Sequence, residues 1–141
     1  MRSVIVGLIV VVALGVGWVW QGWAQAKSGS KLRIEASEYS FNPAAITLTA
    51  GTPVELEVVN TGKETHMFAS KYLGSQDVEV EGGGVEVDAP KGVKYVRLEP
   101  GKSVEIKFKP RGKGTFDFSC EMKKDGKPHR ALGMKGAITV N

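Results

Sequence analysis

Apolar and polar residues alternate in short bursts along most of this chain. Leu32-Arg33-Ile34-Glu35-Ala36, Ile46-Thr47-Leu48-Thr49, Val54-Glu55-Leu56-Glu57-Val58-Val59 and Val104-Glu105-Ile106-Lys107-Phe108 each send every second side chain to one face, the period of a half-buried strand. Between them stand Ser40-Phe41-Asn42-Pro43, Ala50-Gly51-Thr52-Pro53, Asn60-Thr61-Gly62-Lys63 and Glu99-Pro100-Gly101-Lys102, whose Gly, Pro and Asn favour turns. Further strands are predicted at His66–Ala69, Tyr95–Leu98, Thr115–Cys120 and Ala137–Val140. Val78-Glu79-Val80 and Val85-Glu86-Val87 flank Glu81-Gly82-Gly83-Gly84 and read as a hairpin with a glycine turn. No amphipathic helical period is present. Roughly eight short strands with turn residues between them predict an all-β fold, a Greek-key antiparallel β-sandwich.

The beginning of the chain has a different pattern. After Arg2, residues 4–20 carry no charge, and Ala24-Gln25-Ala26 follows. A basic start, an apolar stretch and small residues are the parts of a secretory signal cleaved before Lys27. The same run, with Trp18, Trp20 and Trp23 as an interfacial belt, reads equally as a retained anchor through residues 4–23. Either way the remainder is exported, to the periplasm or the outer face of the cytoplasmic membrane. The predicted organisation is a signal or anchor helix at 1–26, a polar linker at 27–31 and one domain at 32–141, a length that suits one sandwich core. The net charge is only +4. With no basic stripe interleaved with aromatics, this gives no case for nucleic acid.

Export changes the meaning of the one cysteine. In an oxidising compartment cysteines usually pair, so a single Cys120 needs another reason to persist, such as ligation to a metal or burial as an inert thiol. The two histidines are His66 and His129, and Met134 follows the second closely. Two imidazoles, a thiolate and a weak thioether form the donor set that selects copper for electron transfer. Phe116, Phe118 and Cys120 fall on one face of their strand by alternation, so the thiol leaves the strand on the core side.

The segment Gly114-Thr115-Phe116-Asp117-Phe118-Ser119-Cys120, followed by His129-Arg130-Ala131-Leu132-Gly133-Met134-Lys135-Gly136, resembles the C-terminal signature of the small blue-copper proteins, the cupredoxins of the plastocyanin and azurin family. Asn60 through Phe68 is similar to the stretch carrying that family's first histidine, and Pro100-Gly101-Lys102-Ser103 to its turn before the strand that leads to the cysteine strand. The resemblance implies one copper ion held by His66, Cys120 and His129, with Met134 as the weak axial ligand. It implies electron exit at the edge of His129 beside Ala131 and Leu132. It also implies redox partners such as c-type cytochromes or membrane oxidoreductases.

Two departures from the pattern stand out. Eight residues separate Cys120 from His129, more than the family usually has, which makes Met122 in that loop a rival axial ligand. Met67 occupies the position after the first histidine, where the family often has a polar brace. Oxidases and nitrite reductases of this fold need further copper sites, whereas both histidines here are already committed, and a dinuclear electron-transfer site needs two cysteines. Zinc is disfavoured by the methionine. The expectation is a non-enzymatic electron carrier, with copper delivery or storage through the same ligands as the alternative.

Overall fold

A computed structural model describes residues 29–82, 85–88 and 92–141. The signal or anchor expected at 1–26 lies outside the described residues. Among the described residues thirteen strands form: β1 (Ser30–Ser37), β2 (Ser40–Asn42), β3 (Ala45–Leu48), β4 (Val54–Asn60), β5 (His66–Ala69), β6 (Val78–Glu81), β7 (Val85–Asp88), β8 (Tyr95–Leu98), β9 (Ser103–Phe108), β10 (Gly114–Ser119), β11 (Lys123–Lys124), β12 (Lys127–Pro128) and β13 (Lys135–Val140). The helical content among the described residues is two short 3-10 turns, Leu73–Ser75 and His129–Leu132. One sheet has the order β2-β1-β4-β9-β6, the other β3-β13-β10-β5-β8-β7, and β11-β12 is a small ribbon.

The alternation seen in the sequence makes the two sheets a sandwich. Ile34, Leu56, Val58 and Ile106 on the first sheet are fully buried, as are Leu98 and Ile138 on the second. Each contributes on the order of 1.5–3 kcal/mol by leaving water. Phe41, Phe68 and Phe118 pack as a cluster, with ring centroids 5.7, 5.2 and 4.9 Å apart. The opposite face of the first sheet is solvated and carries the ion pairs Lys31–Glu55 at 2.6 Å, Arg33–Glu57 at 2.7 Å and Lys107–Glu81 at 2.7 Å.

Several details differ from the sequence-based expectation. β6 and β7 do not form a hairpin with each other. β6 pairs with β9, setting Val78 opposite Phe108, while β7 pairs with β8 in the other sheet, setting Val85 opposite Leu98. The glycine run offers no Asn-Gly or Asp-Gly turn to fix a hairpin, and each short strand instead completes an edge of a different sheet. Ser40–Asn42, expected as a turn, is a short strand on β1. β1 begins at Ser30, inside the stretch read as a linker. Two pairings, β1 with β4 and β3 with β13, are parallel within the otherwise antiparallel sandwich.

Candidate metal centre

Four elements converge at one end of the sandwich. His66 is the first residue of β5, opposite Leu98 of β8. Cys120 follows β10 directly, and β10 is laddered to β13 up to the pair Ser119–Lys135. His129 opens the second 3-10 turn, and Met134 immediately precedes β13. Backbone hydrogen bonds tie these pieces together. The Cys120 N–H donates to the Met134 carbonyl (3.1 Å), the Arg130 N–H to the Cys120 carbonyl (2.9 Å), the Met134 N–H to the His129 carbonyl (3.1 Å), and the His129 N–H to the Met122 carbonyl (2.7 Å). Gly133 makes the return possible. It caps the 3-10 turn at φ 113°, a left-handed conformation that side chains other than glycine rarely adopt.

The ligand-capable atoms of His66, Cys120 and His129 all lie within 4.8 Å of one another, and all three residues are buried. His129 turns Nδ1 toward the Cys120 Sγ at 3.5 Å. Neither ring nitrogen of His66 has a hydrogen-bond partner, although the side chain is fully buried. A buried polar group left this way costs roughly 1–3 kcal/mol, which a bound metal would relieve at one of the two nitrogens, so the residues fit the expected ion. Burial, then the nearby His129, holds the His66 imidazole below its ordinary pKa. It is therefore in the neutral form that ligates metals. Burial pushes the Cys120 thiol up, opposed by the backbone N–H groups of Met67 and Met122, and a metal inverts that preference by deprotonating the thiol. The Met67 N–H donates to Sγ at 3.2 Å. Met134 is fully buried in the core, whereas Met122 is partly buried and packs against its margin.

The family model described as a cupredoxin-like domain matches residues 9–129 of the chain. The chain belongs to the cupredoxins. A plastocyanin from Scenedesmus fuscus is 33% identical over 110 residues, covering 78% of this chain and 95% of the relative. Among solved structures, the dithionite-reduced auracyanin of Roseiflexus castenholzii superposes with a TM-score of 0.57 at 21% identity, covering 81% of this chain and 98% of that one. A multicopper oxidase from Campylobacter jejuni gives 0.58 at 15% identity, covering 84% of this chain but 31% of the oxidase. At those identities the two structures show the shared fold.

This cupredoxin braces its first ligand loop with a residue that sequence reasoning passed over as a turn asparagine. Asn60 is fully buried. Its Nδ2 donates to the carbonyls of Glu64 (2.7 Å) and Leu98 (2.9 Å), and its Oδ1 accepts from the Gly62 N–H (2.9 Å). The brace missing at Met67 is supplied from here. Gly62 approaches closely, since a Cβ there would sit 2.6 Å from Glu38 Oε1 and 2.9 Å from His66 Nε2. The sequence carried only the Asn-x-Gly turn signal for both.

The loop between Cys120 and His129 forms the β11–β12 ribbon, with Lys124 opposite Lys127. Lys124 reaches back to Glu64, and Tyr39 lays its ring against His129 edge-on at 4.9 Å. His129 is consequently only 2% exposed, while Leu132 beside it is 42% exposed. The His129 edge is thus nearly enclosed, and the neighbouring Ala131 and Leu132 are exposed.

Proposed function

We propose that this cupredoxin is an exported mononuclear type 1 copper protein that carries single electrons between redox partners. The observation that carries this is the buried convergence of His66, Cys120 and His129 with their ligand atoms within 4.8 Å. In this reading those three are the strong ligands through His66 Nδ1, Cys120 Sγ and His129 Nδ1. Met134 is the weak axial ligand, favoured over Met122 by its full burial beside Cys120 and His129. Copper held by such a set would supply one-electron chemistry, since soft sulfur and imidazole donors are acceptable to both of its oxidation states. The protein's part is to keep water away and hold the donors still. The sheet ladders and the Asn60 hydrogen bonds do the holding, which favours a small structural change on each transfer.

Export rests on the apolar run at residues 4–23 and the Ala24-Gln25-Ala26 that follows. The folded domain is assigned to 32–141, and residues 1–26 to a signal or anchor. The partners that suit such a carrier are c-type cytochromes or membrane oxidoreductases, met through the surface around Ala131 and Leu132. Copper delivery or storage requires a ligand that an acceptor can reach. The burial of all three ligands favours the carrier.

The test is the visible spectrum of the chain loaded with one equivalent of Cu(II). An intense orange-red charge-transfer band is expected, and Cys120→Ser should abolish it because the band arises from the thiolate. Bound copper with only weak absorption would support delivery instead. Failure to bind copper would refute both.

A further inference from the structure

His129 is enclosed by three residues from three separate parts of the chain. Tyr39, in the turn between β1 and β2, adopts φ 57°, a left-handed conformation that is uncommon for a residue other than glycine and clusters at functional sites. That conformation brings its ring onto His129, with centroids 4.9 Å apart and planes at 77°. The Tyr39 hydroxyl donates to Glu64, 3.3 Å from Oε2. Lys124 of β11 pairs with the same carboxylate, and its Nζ lies 5.8 Å from the centroid of the Tyr39 ring. Glu64 Oε2 stands 3.7 Å from His129 Nε2. That is beyond hydrogen-bond length, so the interaction is one of charge with the ring edge. Since Nδ1 of the same ring faces Cys120, the carboxylate and the thiol sit at opposite nitrogens.

We propose that Glu64 is a positioning residue for the metal centre: its carboxylate holds His129 with the proton on Nε2 and the Nδ1 lone pair free, and Lys124 sets how much of that negative charge the copper feels. The proposal rests on the copper-carrier reading above and deepens it. A neutral imidazole carries its proton on one nitrogen, and a carboxylate beside Nε2 favours the N–H there over a lone pair. Carboxylates behind ligating histidines act in this way in metal sites generally, fixing the tautomer and raising ligand basicity. A negative charge behind this ligand would also favour the more positive, oxidised copper. Lys124 offsets it, so the two side chains act on the potential with opposite signs.

This arrangement also gives the long Cys120–His129 loop a purpose. The extra residues fold into the ribbon that delivers Lys124 to Glu64. An exposed Glu–Lys pair contributes little to stability in general, so a purely structural role would leave the copper site unmoved.

The experiment compares the full chain with Glu64→Gln and Lys124→Gln. Nitrogen-15 NMR of the copper-free proteins reads the tautomer of His129, and the reduction potential is measured after loading with copper. The wild-type chain is expected to hold the Nε2–H tautomer, and Glu64→Gln to shift it toward a mixture. The potential is expected to rise in Glu64→Gln and to fall in Lys124→Gln. An unchanged tautomer in Glu64→Gln overturns the positioning role, and potentials that move in the same direction in both variants overturn the opposing-charge role. If the chain took up no copper, the carrier reading would fail, while the NMR measurement would still decide the tautomer.

Discussion

At the residue scale, the centre depends on side chains that bind no metal. Asn60 holds the His66 loop by satisfying two carbonyls and one N–H at once, and its own backbone is fastened to the turn before β9, N–H to the Lys102 carbonyl and carbonyl to the Gly101 N–H. Asn60→Ala removes three hydrogen bonds, the one to Leu98 fully buried, and is expected to cost about 2–3 kcal/mol, measured by denaturant unfolding of the copper-free protein. A loss below about 0.5 kcal/mol, the level of an ordinary surface change, would show that the loop is held by something else. The four expected ligands were legible in the sequence because their residue types are scarce and their order is specific. Asn60 was not, because an asparagine before Thr-Gly is an ordinary turn residue until a structure shows where its amide points. Glu38 and Glu64 were equally silent, being two of 15 acidic residues, and only folding brings each within 4 Å of an imidazole.

At the element scale, the second 3-10 turn determines where Met134 arrives. Its closure depends on the left-handed Gly133, so Gly133→Ala is expected to destabilise the protein by about 1–2 kcal/mol. It should also alter the axial contact. That second effect is read from the electron paramagnetic resonance spectrum of the copper-loaded variant, and an unchanged spectrum would argue against Met134 as the axial ligand. The strands that build the site were visible beforehand, since β4, β9 and β10 show plain alternation with turn residues on either side. The fate of β6 and β7 was not visible. Short valine-rich strands pair with whichever edge is free, and no local signal distinguishes a hairpin from two strands in opposite sheets. The same limit hid the β11–β12 ribbon, whose lysines gave no pairing signal until folding set Glu64 beside Lys124.

For the whole molecule, most of the sandwich core is built from side chains that would bind no metal. Ile34, Leu56, Val58, Leu98, Ile106 and Ile138 are buried without reference to the ligands. Removing copper with a chelator is therefore expected to leave the far-ultraviolet circular dichroism unchanged while lowering the unfolding midpoint. Binding to the folded state alone stabilises it by about 4 kcal/mol when free copper exceeds its dissociation constant a thousandfold. Loss of secondary structure on chelation would show instead that the metal is part of the fold.

The parallel pairing of β3 with β13, which sets Ile46 beside Ile138, has a consequence for how the protein must be made. It joins residues far apart in sequence, and closing such contacts is slow compared with local ones. The thiol follows β10, which pairs with the other edge of β13, so the cage around it is incomplete until the C-terminal strand has docked. Until then Cys120 is unsheltered, and on the export proposed above such a thiol is open to capture by any passing disulfide. On that export, the demand on this protein is one of timing: folding must shelter the sulfur before oxidation claims it.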